Sequence, residues 1–120
     1  MDWHFTLIVG LMAVAVLAFQ RLGLVSAQTA RTHLKQGALV VDVRSAEEFE
    51  AGHLPNAVNI PLDELRSSLP RRVSDKNQVL LLHCRSGARS ELAQRMLKAL
   101  GYSYVLNLGS HGRARRLVGR

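Results

Sequence analysis

The sequence predicts an α/β fold built on a parallel sheet, and three observations carry that prediction. Short apolar runs recur at residues 39–43, 57–60, 79–83 and 104–108. These runs are apolar nearly throughout rather than alternating, as in strands buried on both faces. Between them lie segments with helical spacing and helical end signals, and helices alternating with strands imply a parallel sheet covered on both sides.

The elements follow in order. Ser26 can cap a helix running to Gln36, with Gly37 as its stop. Leu39-Val40-Val41-Asp42-Val43 reads as a buried strand. Ser45 with Glu48 three residues on is a capping box, opening a short helix that ends near Gly52. Pro55-Asn56 is a turn before the short strand at 57–60. Pro61 opens a helix through Leu69, and Pro70 is expected to stop it. A polar loop then leads to Val79-Leu80-Leu81-Leu82-His83, the most apolar strand and the expected centre of the sheet. Leu92, Met96, Leu97 and Leu100 share helical spacing, with Gly101 as the stop. The last strand is 104–108, and from Gly109 the chain is a basic tail whose terminal helix is expected to be short or absent.

Of the 120 residues, the first two dozen differ in character. The division expected is an N-terminal segment at 1–22 and a domain at 23–120, large enough for one core. With 48% apolar and only 5% aromatic residues, that core is expected to be Leu, Val, Ala and Ile. Net charge is +7, and thirteen of the sixteen cations are Arg. Such a surface favours anionic partners, and Arg suits bidentate oxyanion binding. The arginines do not interleave with aromatics and no nucleic-acid-binding motif is present, which argues against nucleic acid.

Residues 5–19 carry no charge, and with Trp3 and His4 the stretch reaches the lower limit for spanning a bilayer. Trp3 and Phe19 could sit at the two interfaces. Asp2 precedes the stretch, and Arg21, Arg31 and Lys35 follow it. These charges favour an uncleaved single-pass anchor at residues 3–19, with the domain in the cytoplasm. The alternative is a signal peptide cleaved near Val25-Ser26-Ala27, with export to the periplasm.

Cys84 is the single cysteine, so no intramolecular disulfide forms. No usual zinc-ligand spacing is present, and neither metal nor cofactor is expected. Cys84 closes the most apolar strand and is followed by Arg85-Ser86-Gly87-Ala88-Arg89-Ser90 and a helix. A strand, a glycine-containing loop and a helix N-terminus form an anion cradle of backbone N–H groups. With Arg85 and Arg89 beside it, the thiol pKa is expected to be lowered, leaving a nucleophile aimed at an anionic electrophile.

The loop from Cys84 to Ser90 resembles the active-site loop of rhodanese sulfurtransferases. Val41-Asp42-Val43-Arg44, Glu47 to Phe49 and the stretch from Gly52 to Pro61 resemble the second signature of that family, in the same order and spacing. The resemblance implies a three-layer domain with a five-stranded parallel sheet flanked by helices. It also implies sulfur transfer by a ping-pong route. Cys84 takes sulfane sulfur from thiosulfate or a similar small anion as a persulfide, then passes it to a thiol or cyanide. Arg85, Ser86, Gly87, Ala88 and Arg89 would hold the donor and the persulfide. Asp42 and Arg44 are expected to brace the site, Arg44 pairing with a Glu of the next helix. His53, His83 and Glu91 are read as structural, and the protein as a monomer. After the last strand, Ser110 stands where the family has the second of two glycines, and no Trp follows.

Two other function classes compete. His83-Cys84 with Arg89 is similar to the cysteine-phosphatase or arsenate-reductase pattern, but four residues separate Cys84 from Arg89 where phosphatases have five. A non-catalytic interaction or sulfur-carrier module is the other, and the presence of Cys84, Gly87 and Arg89 argues for activity.

Overall fold

In the computed structural model, residues 2–21 and 24–118 are described. The expected boundary at 22–23 and the tail residue Arg120 lie outside them, as do the side chains at 18–21, including Phe19 and Arg21. The elements are α1 (Trp3–Arg21), α2 (Ala27–Lys35), β1 (Leu39–Asp42), α3 (Ala46–Ala51), β2 (Val58–Asn59), α4 (Leu62–Arg72), β3 (Leu80–Cys84), α5 (Ala88–Ala99), β4 (Val105–Ser110) and α6 (His111–Val118).

The sheet is parallel, with strand order β2-β1-β3-β4. Among the described residues it has four strands, not the five that the resemblance implies. Leu24 makes only an isolated parallel bridge to Asn107, beyond β4, and the Val25 N–H donates to the Asn107 carbonyl at 2.9 Å. Among the described residues a fifth strand is represented by this one rung, after which the chain turns into α2 under the Ser26 cap.

β3 is buried along its whole length, and alternation divides its side chains between two cores. Leu80, Leu82 and Cys84 pack with Leu65 and Leu69 of α4 and Ala93 and Leu97 of α5. Leu81 packs with Ala30 of α2 and Ala114 of α6. The result is three layers, α2/α6, sheet and α4/α5. β1 leads toward β2 and β3 toward β4, so the order reverses between β1 and β3. Ligands of such sheets bind at this switch point, beyond the carboxyl ends of the strands, and Cys84 is the last residue of β3 there.

One expectation about helices is corrected, and a second, that the terminal helix is short, is met. Pro70 does not stop α4; it lies within the last turn, and the helix runs on to Arg72. The Val73 N–H still reaches the Leu69 carbonyl at 2.8 Å, and the Arg66 carbonyl that Pro70 cannot serve belongs to an exposed residue that water can satisfy. The terminal helix is present as α6, with Ala114 buried and the Ser110 hydroxyl accepting from the Arg113 N–H at 3.1 Å.

α1 forms as a helix, and Trp3, Phe5, Leu11 and Met12 are exposed. Among the described residues, however, no helix is long and apolar enough to cross a membrane. The transmembrane span expected at residues 3–19 is therefore not supported. The charge-free run at 5–19 rises only about 22 Å as a helix, against roughly 30 Å of bilayer hydrocarbon.

His83 faces the α6 side of the sheet, fully buried, with neither ring nitrogen hydrogen-bonded. Its ring centroid lies 5.4 Å from that of His111, and its Nε2 lies 3.6 Å from Asp42 Oδ2. Burial pulls its pKa down to about 4, although the Asp42 charge works in the opposite direction. At pH 7 the ring is neutral, and its approach to Asp42 is a packing contact. The unfolded chain binds this proton first, near pH 6.5, so stability is full above that pH and falls as pH drops toward about 4. Between pH 6.5 and 4.5 the expected loss is on the order of 1–3 kcal/mol. The urea midpoint should fall across this window, and His83→Leu should flatten the dependence.

Candidate active site

Cys84 is the last residue of β3, and the chain leaves the strand through Arg85, Ser86 and Gly87 before α5 begins at Ala88. Gly87 makes this turn possible. Its φ of 100° is left-handed, a conformation that costs a side-chain-bearing residue. The turn aims the Gly87 N–H at Cys84 Sγ, 2.9 Å away. Ser90, in the first turn of α5, places its Oγ 3.5 Å from the same sulfur and 3.0 Å from the Gly87 carbonyl, so its one proton can turn from the carbonyl to the sulfur when the thiol ionises.

Cys84 is fully buried. Burial alone pushes the thiol pKa up. The Ser90 hydroxyl and the backbone N–H groups of Ser90, Gly87 and Ser86 together outweigh it, and the net shift is downward. A depressed thiol pKa matches the sequence reading, but its source differs. The arginines are not the main cause. Arg85 is exposed, and the Arg89 guanidinium is engaged by Glu48, Nη1 to Oε1 at 2.6 Å and Nη2 to Oε2 at 3.0 Å. That pair holds the Glu48 carboxyl down at about 2.

The far side of the loop is fastened to the β4–α6 corner. Ser86 forms an antiparallel bridge with Ser110, and the His111 N–H donates to the Arg85 carbonyl at 3.3 Å. Gly109 lies behind Gly87 with φ 88°, and a Cβ there would come within 2.9 Å of a Leu24 methyl. Ser110, the departure from the paired glycines, is accommodated because its side chain caps α6.

Asp42 and Arg44 brace the end of β1. Asp42 accepts from the Arg44 backbone N–H at 2.9 Å and from its guanidinium at 2.7 to 3.0 Å. Arg44 Nη2 also reaches the Gly52 carbonyl at 2.7 Å. The expected pairing of Arg44 with a Glu of the next helix is not observed. One Glu of that helix, Glu48, pairs with Arg89 instead, while the Nε and Nη2 of Arg44 are engaged by Asp42 and the turn after α3. His53 stacks on Phe49, centroids 3.8 Å apart, and stays on the exposed surface of that turn.

The structure therefore brings Cys84, Ser86, Gly87, Ala88 and Arg89 around one sulfur-centred loop, and leaves Arg85 on its outer surface. Two residues that sequence reasoning gave no part in the site join them, Ser90 and Glu48, the latter expected only to cap α3. Ser90 could have been found as a hydroxyl one helical turn into the loop–helix junction. Glu48 had no such signal, since only folding brings it to Arg89. A cavity of about 480 Å³ opens beside Arg89, with Val43, Pro61, Leu62 and Asp63 among its walls. A second, of about 330 Å³, lies against Ser86, Gly87 and Ser110. Among the described residues no cluster of His, Cys, Asp and Glu is arranged to hold a metal. Chemically, the arrangement can stabilise a thiolate, or an anionic sulfur bonded to it, in a largely dry pocket.

Residues 26–112 match the family model of the rhodanese-like domain. The chain is 36% identical over 69 residues to the thiosulfate sulfurtransferase PspE of Escherichia coli, covering 58% of this chain and 66% of that protein. It is also 36% identical over 69 residues to the putative sulfur carrier protein YrkF of Bacillus subtilis, covering 58% of this chain and 36% of that protein. The chain thus spans less than two thirds of each of these curated relatives. Among solved structures, a rhodanese with anions from E. coli superimposes with a TM-score of 0.62 at 32% identity, covering 64% of this chain and 91% of that one. The human single-domain sulfurtransferase TSTD1 gives a TM-score of 0.62 at 32% identity, covering 75% and 89%. With the strand order, the cysteine-bearing loop and these matches in agreement, the chain belongs to the rhodanese-like domain family.

Proposed function

We propose that this protein is a sulfurtransferase that moves sulfane sulfur from thiosulfate or a similar small anion to a thiol or cyanide through a persulfide on Cys84. The observation that carries the reading is the sulfur itself, buried yet hydrogen-bonded by the Gly87 N–H and set beside Ser90. An inert structural thiol needs neither contact.

In the first half-reaction the Cys84 thiolate attacks the outer sulfur of thiosulfate. The S–S bond breaks, and sulfite leaves with its electron pair. In the second, an acceptor thiolate attacks the outer sulfur of the Cys84 persulfide, which restores the Cys84 thiolate. The N–H groups of Ser86 to Ser90 line the place where the anionic sulfur grows, and preorganised donors of this kind stabilise charge as it develops. Arg85, exposed at the rim, draws in the donor's sulfonate. Arg89 holds the other side of the entrance from its pair with Glu48. Asp42 and Arg44 keep the β1 end rigid beneath it.

The exposed apolar side chains of α1 support a second part of the proposal, that α1 seats the protein on a membrane. A helix apolar on every face is poorly suited to water, and the cations at Arg21, Arg31 and Lys35 favour a surface bearing anionic lipid.

Intact mass after incubation with thiosulfate should show the gain of one sulfur atom, removed by cyanide as thiocyanate. Cys84→Ser should show neither gain nor turnover while keeping its fold. A folded protein with a titratable thiol that gains no sulfur from thiosulfate, polysulfide or mercaptopyruvate would exclude the transferase. Ser90→Ala should raise the thiol pKa and slow loading at neutral pH by about three- to tenfold, through loss of one hydrogen bond to a charged group. On vesicles containing anionic lipid, the full chain should co-float, and Leu11→Glu should reduce the floating fraction. Full recovery of the unmodified chain in the lipid-free layer would contradict membrane seating.

A further inference from the structure

The ion pair between Arg89 and Glu48 joins residues 41 positions apart, and it is held more firmly than its exposure would suggest. Both oxygens of Glu48 are engaged by the guanidinium, at 2.6 and 3.0 Å. Oε1 also accepts the Ser45 N–H at 3.1 Å, because Glu48 is the distal half of the α3 capping box. The carboxylate is therefore fixed by its own helix before it meets Arg89. The two side chains are 35% and 27% exposed, in the range where an ion pair contributes little to stability. Arg89 borders the 480 Å³ cavity whose lining includes Val43, with Ser45 and Ala46 of the α3 start on the same wall. Val43 lies beyond Asp42, the register partner of His83, so that part of the lining is level with Cys84. Arg89 itself follows Cys84 by five residues in the first turn of α5, and its charge is favoured slightly by a negative Cys84.

We infer that Glu48 is a positioning residue that sets the charge of the site: it pins Arg89 to the cavity wall and screens it, so that backbone N–H groups and Ser90, rather than a full positive charge, stabilise the sulfur anion. The inference rests on the reading of Cys84 as the sulfur-carrying residue. Its chemical consequence is a balance between holding sulfur and releasing it. A thiolate lowered too far loses intrinsic nucleophilicity. A persulfide clasped by a free guanidinium would likewise part with its sulfur less readily. The screened pair leaves the donor dianion a weaker attraction and the outgoing sulfur a faster exit.

Glu48→Gln separates this role from the structural one. Glutamine keeps an oxygen for the Ser45 N–H and so preserves the capping box, but it no longer neutralises Arg89. On the full chain, three quantities are read. They are the Cys84 thiol pKa from the pH dependence of iodoacetamide alkylation, KM and kcat for loading from thiosulfate, and the single-turnover rate at which mercaptoethanol discharges the persulfide. In E48Q the thiol pKa should fall, KM for thiosulfate should drop about threefold or more, and discharge should slow by a similar factor, in keeping with unmasking one nearby charge. In an Arg89→Met background, adding E48Q should change none of the three further, the non-additivity expected when Glu48 acts only through Arg89. An unchanged thiol pKa in folded E48Q, a raised KM, or an E48Q effect that persists without Arg89 would overturn the inference. If E48Q does not fold, Glu48→Asp, which keeps the charge but shortens its reach, should move the same quantities in the same direction. Alkylation needs no sulfur transfer, so a wild-type protein that never loads sulfur would defeat the transferase reading while the thiol pKa still decides the role of Glu48.

Discussion

A lone cysteine sulfur sits out of water at the end of a buried strand, and the hydrogen-bond donors gathered round it are the constraint on which the surrounding architecture depends. Burial by itself works against the thiolate of Cys84. What reverses the balance is a short row of backbone N–H groups and one hydroxyl, brought round the sulfur by a left-handed turn at Gly87 and the immediate start of α5. Such donors are fixed by the backbone, so they are already oriented when charge develops and need no reorganisation. Everything that holds the loop in this shape therefore also sets the chemistry of the sulfur.

That support comes from three directions. β3 is the most buried strand and fixes the position of Cys84 from below. The β4–α6 corner grips the outside of the loop through Ser110 and His111. α3 reaches in from the β1 side with Glu48 and secures Arg89 at the far end. The corner shows how a departure from a family pattern can be tolerated. A second glycine is missing at position 110, but the serine there faces α6 and caps it, and the loop meets only its backbone.

The network around Asp42 has a different character. Asp42, Arg44 and His83 lie beneath the site and are almost fully buried. Arg44 satisfies both oxygens of Asp42 and then bonds the Gly52 carbonyl, which ties the end of β1 to the turn after α3. Asn59 adds bonds to the carbonyls of Asp42 and Arg44 from β2. A carboxylate this deep is tolerable only because it is paired and fully hydrogen-bonded. The neutral, unbonded ring of His83 is the weak point of the arrangement, and it confines full stability to the neutral and alkaline range.

Much of this was legible in the amino-acid order, because the signals are local. Apolar runs declared four of the strands, Ser26 and Ser45 declared helix starts, and Cys84 followed by a glycine loop and a helix declared an anion cradle. Each depends on contacts within a few residues, which sequence records directly. Three features were settled only by tertiary structure. The fifth strand that the family resemblance implied is represented, among the described residues, by a single rung from Leu24 to Asn107, a pairing between residues far apart in the chain that no local pattern announces. Pro70 stayed inside α4, since the carbonyl it leaves unpaired happens to face water. Arg89 chose Glu48, and Arg44 chose Asp42, although both arginines were within the same expected site. Partner choice among several Arg and Glu residues is decided by which side chains the sheet and helices bring within hydrogen-bonding distance, and no spacing along the chain encodes that distance.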